Sequence, residues 1–216
     1  MSYALKTTIM NHRLISNPIF FEQEIDLIHQ LFDMGLPCFH VRKPWATEAE
    51  CREFLEKIET QHHSKIVLHQ HLELAVEMGL QGVHFKEFVR EKMSPSDFSS
   101  AIGAYQKKGL TVGTSVHQKS VLETMPSALD YVMVSPIFQS ISKPDYHPTE
   151  NWMVEGEKYP YKLIALGGLE VHNLLQTRVK GFTDVAFLGA VWSDLSNVSE
   201  NYRLLCTKMN LIALMS

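Results

Sequence analysis

Residues 162–192 read KLIALGGLEVHNLLQTRVKGFTDVAFLGAVW. Two short apolar runs, Leu163–Leu166 and Asp184–Leu188, each end in glycine. Between them, Leu169, Leu174, Leu175 and Val179 mark a segment that suits a helix. Strand, turn, helix, strand is the pattern of a βαβ unit with parallel strands. Glycine directly after a strand has no Cβ, so a ligand can approach the backbone N–H groups, and the next helix aims its positive end at the same place. Gly167, Gly168 and Gly189 are either tight turns or the backbone cradle of an anion. Their recurrence in two consecutive units favours a phosphate.

Working outward, the same alternation fills the chain. Arg13–Ser16 is a first strand, and Phe21–Met34 is an amphipathic helix with Ile25, Ile28, Leu31 and Phe32 at helical spacing, stopped at Gly35. Leu36–Val41 is the second strand. Thr47 to Glu50 forms a capping box that opens a helix carrying Phe54, Leu55 and Ile58. Lys65–Leu68 and Gly82–Phe85 are strands three and four, separated by a short helix over His71–Met78. Ser94-Pro95 opens a helix that runs to about Lys107. Leu110–Ser115 and Asp130–Val134 are strands five and six around a brief helix at Lys119–Thr124, and a last helix spans Asn197–Leu211. Counted with the two runs above, this makes eight strand–helix units, which predict a single (β/α)8 TIM barrel over residues 1–216. In such a barrel, the loops after strands seven and eight are frequent phosphate sites. The long connection Pro136–Tyr161 then lies on the active face.

Composition narrows the class. A net charge of -4 without a basic block argues against nucleic acid or acidic membranes as partners. Cys38, Cys51 and Cys206 are too few and too widely spaced for a disulfide framework or a zinc ribbon, and fit reduced thiols in a cytoplasmic protein. No apolar run approaches membrane length. A small phosphorylated molecule is the expected partner, and a homo-oligomer is compatible with the sequence.

The strand ends carry the chemistry. Side chains two apart on a strand share a face, so His40 and Arg42 point the same way, into the barrel mouth if Val41 faces the helices. A guanidinium there suits a phosphate. His40, His69, His84 and His117 stand at or just after the ends of strands two to five. They are proton carriers, packed hydrogen-bonding residues or, least expected from such dispersed spacing, metal ligands. His62, His63 and His147 read as surface or loop residues. Ser135, Ser140, Ser142 and Lys143 lie at and after strand six, where hydroxyls and an ammonium suit a loop over a phosphoryl group, or simply a polar loop.

The stretches FHVRKP (39–44), KIVLHQHLELAVEMGLQGVHF (65–85), TVGTSVHQ (111–118), DYVMVSPIFQSISK (130–143), IALGGL (164–169) and GFTDVAFLGAVW (181–192) together resemble thiamine phosphate synthase and the related TenI-type thiazole tautomerases. The resemblance runs from about His12 to Trp192, and its fold is the same barrel. It implies a synthase that joins hydroxymethylpyrimidine pyrophosphate to thiazole phosphate with Mg2+, releasing pyrophosphate. It also implies that Arg42 and Lys143, with Ser140 and Ser142, meet pyrophosphate. Gly167, Gly168, Gly189 and Ala190 match the backbone turns that hold the thiazole phosphate.

The departures are specific. His40 stands where the synthase has glutamine, and Pro44 replaces a lysine, leaving the adjacent Lys43 as its substitute. The Asn-Asp pair after strand three is His69-Gln70, and the later magnesium aspartate aligns with Val89, so no family metal ligand survives unless Glu87 or Glu91 replaces one. The tautomerase histidine aligns with Pro136. His40, His69 and His84 are then the expected acid–base groups. Synthase, tautomerase and non-catalytic binder of a phosphorylated thiazole or pyrimidine are the competing readings.

Overall fold

A computed structural model describes residues 10–139 and 151–215. Its elements run β1 (Asn11–Ile15), α1 (Glu24–Asp33), β2 (Phe39–Val41), α2 (Glu48–Glu56), β3 (Ile66–Leu68), α3 (Glu73–Glu77), β4 (Gly82–Phe85), α4 (Glu87–Arg90) and α5 (Pro95–Gln106). They continue with β5 (Thr111–Val116), α6 (Lys119–Leu122), β6 (Tyr131–Val134), β7 (Lys162–Leu166), α7 (Leu174–Val179), β8 (Asp184–Phe187), α8 (Gly189–Trp192) and α9 (Val198–Leu214). The eight strands are parallel and close in chain order, with β1 paired to both β2 and β8. The expected (β/α)8 barrel is therefore the fold. No described helix is long and apolar enough to cross a membrane.

Local sequence explains the main boundaries. Thr47 and Glu50 form the reciprocal capping box that starts α2, and the Ser94 side chain caps α5 with Pro95 at its first position. Gln23, at φ 69°, delays α1 by three residues relative to the apolar pattern. The pleat then sorts each strand. Leu14, Phe39, Val41, Ile66, Leu68, Val83, Val112, Val132, Ala165 and Val185 join the core beneath the helices. Their neighbours turn into the barrel, where Ile15, Tyr131, Met133, Ile164 and Ala186 form a second apolar cluster. Gly113 is needed here, because a Cβ on it would occupy the space taken by the Tyr131 ring.

One expectation needs correction. His62 and His63 are buried, not surface residues. His62 stacks on Phe32 with centroids 4.3 Å apart, and His63 bonds the carbonyls of Met78 and Ile58, both at 3.1 Å. They join α1, α2 and α3 through chain ends that would otherwise leave carbonyls unpaired. The connection after β6 is also partly anchored. Ile137 N–H donates to Leu166 O at 3.0 Å, Phe138 N–H donates to Gly167 O at 3.1 Å, and Trp152 is 1% exposed.

Candidate active site

The register of the strands assembles the histidines. Val67 is paired with Gly82, so His69 and His84, each two residues further on, occupy the same interior layer. Their rings stack with centroids 4.1 Å apart. His40 is paired with Val67 and lies one layer deeper, with its Nδ1 2.9 Å from His69 Nε2. His84 holds two hydroxyls, Tyr131 Oη at 3.1 Å from Nδ1 and Ser115 Oγ at 2.8 Å from Nε2. All three imidazoles are buried. His40 Nε2 is a buried nitrogen without a hydrogen-bond partner among the described residues.

Burial and the neighbouring cations drive all three histidines well towards the neutral form, with His84 down to about 3. Neutral imidazole both donates and accepts hydrogen bonds and is the form that ligates a metal. His117, the fourth strand-end histidine, is drawn away to Glu87.

Above the histidines sit two cations. His40-Val41-Arg42 and His84-Phe85-Lys86 repeat one pattern, an inward histidine followed two residues later by an inward cation. Both cations are half-buried. Desolvation lowers the pKa of each, and the Arg42 charge lowers that of Lys86 further. Neither has an ion-pair partner among the described residues, so within these the mouth presents positive charge with no carboxylate paired to it. Lys86 was not among the expected site residues. The alternation that singled out Arg42 applies equally to it.

Lys43 does not belong to this set. One residue past Arg42, it is aimed by the pleat into the helix layer, where it is 1% exposed. Its ammonium donates to both Glu24 carboxylate oxygens, at 2.6 and 2.7 Å, and to Ile19 O at 3.1 Å. The Phe20 and Phe54 rings lie 4.5 and 4.9 Å away. The expectation that Lys43 substitutes for the missing phosphate lysine is corrected, because its charge is spent inside the protein.

The glycine turns lie across the mouth. Gly167 and Gly168 have φ of 91° and 67°, and a Cβ on Gly168 would collide with the carbonyls of Phe138 and Gln139. These glycines let the β7 loop pass beneath the root of the β6 loop. Asn173 Nδ2 donates to Gly168 O at 2.8 Å and fixes the turn. Gly189 and Ala190 open α8, which no side chain caps, and a Cβ on Gly189 would meet open space. Ser135 is buried at the inner end of β6. Ser140, Ser142, Lys143 and His147 lie outside the described residues.

The donors at the ends of β3 and β4 do not fit Mg2+, which takes oxygen ligands in near-octahedral geometry. His69 offers nitrogen. Gln70 turns outward, its Nε2 donating to Lys43 O at 2.8 Å. Glu87 is held by His117 and by Arg90, the latter at 3.3 Å.

Comparison with known proteins agrees with this barrel. The thiamine monophosphate synthase (TMP-TENI) family profile matches residues 13–191. The thiamine-phosphate synthase of Caldicellulosiruptor bescii is 24% identical over 167 residues, covering 73% of this chain and 72% of that protein. The thiamine-phosphate synthase of Listeria welshimeri is 26% identical over 172 residues, covering 73% and 78%. Among solved structures, the thiamine phosphate pyrophosphorylase of Bacteroides thetaiotaomicron superposes with a TM-score of 0.68 at 26% identity, covering 94% of this chain and 95% of that one. The Pyrococcus furiosus thiamine phosphate pyrophosphorylase shares the fold with a TM-score of 0.74 at 16% identity, covering 95% and 98%. With the profile spanning every strand from Arg13 to Asp184 and beyond, the chain belongs to the thiamine monophosphate synthase family.

Proposed function

We propose that this chain joins hydroxymethylpyrimidine pyrophosphate to thiazole phosphate, giving thiamine phosphate and pyrophosphate. The observation that carries this reading is the division of the barrel mouth into two anion-facing halves. Arg42 and Lys86 present unmatched charge on the β2–β4 side, suited to pyrophosphate. The turns at Gly168 and at Gly189-Ala190 present backbone on the β7–β8 side, suited to a single phosphate. A substrate pair with one anionic group each would lie with its two rings between them.

The bond changes favour condensation over isomerisation. The C–O bond to pyrophosphate breaks and the leaving group keeps the electron pair. A C–N bond forms from the lone pair of the thiazole nitrogen, which becomes the thiazolium. No proton need be added or removed. What this asks of the protein is binding, alignment and stabilisation of the charge that develops on pyrophosphate. Arg42 and Lys86 supply that charge, while the neutral histidines hold the floor of the site. A thiazole tautomerase, by contrast, must move a proton on carbon, and the position of its family histidine is Pro136 here.

The test is formation of thiamine phosphate by the wild-type chain and by Arg42→Ala and Lys86→Ala. Each variant is expected to lose about 10- to 100-fold in turnover or pyrophosphate affinity, the worth of a hydrogen bond to a charged group. Full activity in both variants would remove the basis of the reading.

A further inference from the structure

We propose that His40, His69 and His84 bind one borderline divalent transition metal ion, for which Zn2+ is the reference, inside the barrel and directly below Arg42 and Lys86. One nitrogen from each histidine lies within 4.8 Å of the other two. In a tetrahedral zinc site with bonds of about 2.0–2.1 Å, the ligand nitrogens stand about 3.4 Å apart. The His40–His69 pair, at 2.9 Å, is already slightly closer than that. The His69 and His84 rings, now stacked with centroids 4.1 Å apart, would turn about their side-chain bonds to aim both lone pairs at one ion.

The chemistry of the donors selects the ion. Three imidazoles without a carboxylate suit Zn2+, Co2+, Ni2+ or Cu2+ and reject Mg2+ and Ca2+, which take oxygen. Neutral imidazole is the ligand form, and ligation through His40 Nδ1 and His69 Nε2 would shift the proton they now share to the far nitrogen of its own ring. The supporting shell is in place as well. Whichever nitrogen of His84 takes the ion, the other keeps a hydroxyl partner, Tyr131 Oη or Ser115 Oγ. Such a bond fixes the tautomer of a ligand histidine. Three buried imidazoles stand here where Val, Ile or Leu is usual in such barrels.

Three protein ligands leave a fourth position open towards the mouth, where His69 is the outermost of the set at 6% exposed. Arg42 and Lys86 add positive charge beside it. The fourth ligand is therefore an anion, either hydroxide or a phosphate oxygen.

The experiment uses untagged full-length chain stripped with chelator, titrated calorimetrically with Zn2+ in the presence of excess Mg2+, and dialysed for metal analysis. One Zn2+ per chain, not displaced by Mg2+, is expected. His40→Gln, His69→Gln and His84→Gln should each weaken binding about tenfold or more, whereas His29→Gln, on α1 outside the barrel and bonded to Glu59 N, should not. Because a buried-histidine variant can fail to fold, X-ray absorption at the zinc edge of the wild-type protein provides a second readout. About three imidazole scatterers are expected. No stoichiometric zinc, binding unchanged in all three variants, or a spectrum with one imidazole or none would overturn the proposal. These readouts do not depend on turnover, so failure of the metal site and failure of the condensation reading are distinguishable.

Discussion

Replacing Lys43 with alanine should damage stability far more than chemistry. The substitution removes the ammonium that holds Glu24 at 2.6 Å, leaving a carboxylate 2% exposed with no countercharge. Breaking one side of a buried ion pair costs about 3–5 kcal/mol, a large part of the roughly 5–15 kcal/mol that holds a domain folded. Burial already raises Glu24 to about 7 even with Lys43 present. Without the lysine it rises further, and the carboxyl takes up a proton instead of staying charged. A folded pKa above the unfolded value means that ionisation works against folding. Glu24 is protonated below about pH 7 in both chains, so the difference from wild type should be flat there and grow as pH rises above about 7. In urea, with a slope of about 2–3 kcal/mol per M, the midpoint at pH 8 should fall by about 1–2 M relative to wild type. The double variant Glu24→Gln/Lys43→Met should recover much of that loss, since it removes both charges. The reasoning is refuted if Lys43→Ala loses less than about 1 kcal/mol at pH 8 and binds pyrophosphate about tenfold more weakly. Lys43 would then be a mouth residue after all.

Three further outcomes follow from the same structure. Gly168→Ala forces a Cβ onto a backbone at φ 67° and into two carbonyl oxygens, so thermal melting should show a loss of about 1–3 kcal/mol or more. Gly189→Ala meets open space and should leave melting nearly unchanged while weakening thiazole phosphate in calorimetry. His12, bonded to Tyr202 Oη at 2.7 Å, is held down to about 4 by burial and Arg13. Its folded pKa is below the unfolded 6.5, so the unfolded chain binds the proton first. Stability should fall by up to about 3 kcal/mol as pH drops from 6.5 to 4, and His12→Gln should flatten that slope in urea titrations at stepped pH.

The barrel was legible because each short apolar run is followed by a turn and a helical segment, and because period-two alternation settles which residues face inward. That rule placed His40 and Arg42 correctly and was not applied to Lys86. It also argued against Lys43, whose odd position aims it at the helices, but the missing neighbouring lysine outweighed the pleat. That His40, His69 and His84 come near one another was legible from their places at the ends of neighbouring strands, but their layers were not, since these depend on register between strands. The pairing of Val67 with Gly82 is what puts His69 and His84 in one layer. His62 and His63 looked like loop residues because the Phe32 ring that covers one and the helix-end carbonyls that bind the other leave no local pattern in a sequence.

The central claim is tested most directly by mixing hydroxymethylpyrimidine pyrophosphate with thiazole phosphate and following both products, with Mg2+, with Zn2+ and with chelator. Thiamine phosphate and pyrophosphate appearing in equal amounts is the predicted result. Saturable binding of both substrates without product under any of these conditions, or isomerisation of a thiazole carboxylate phosphate in its place, would contradict it.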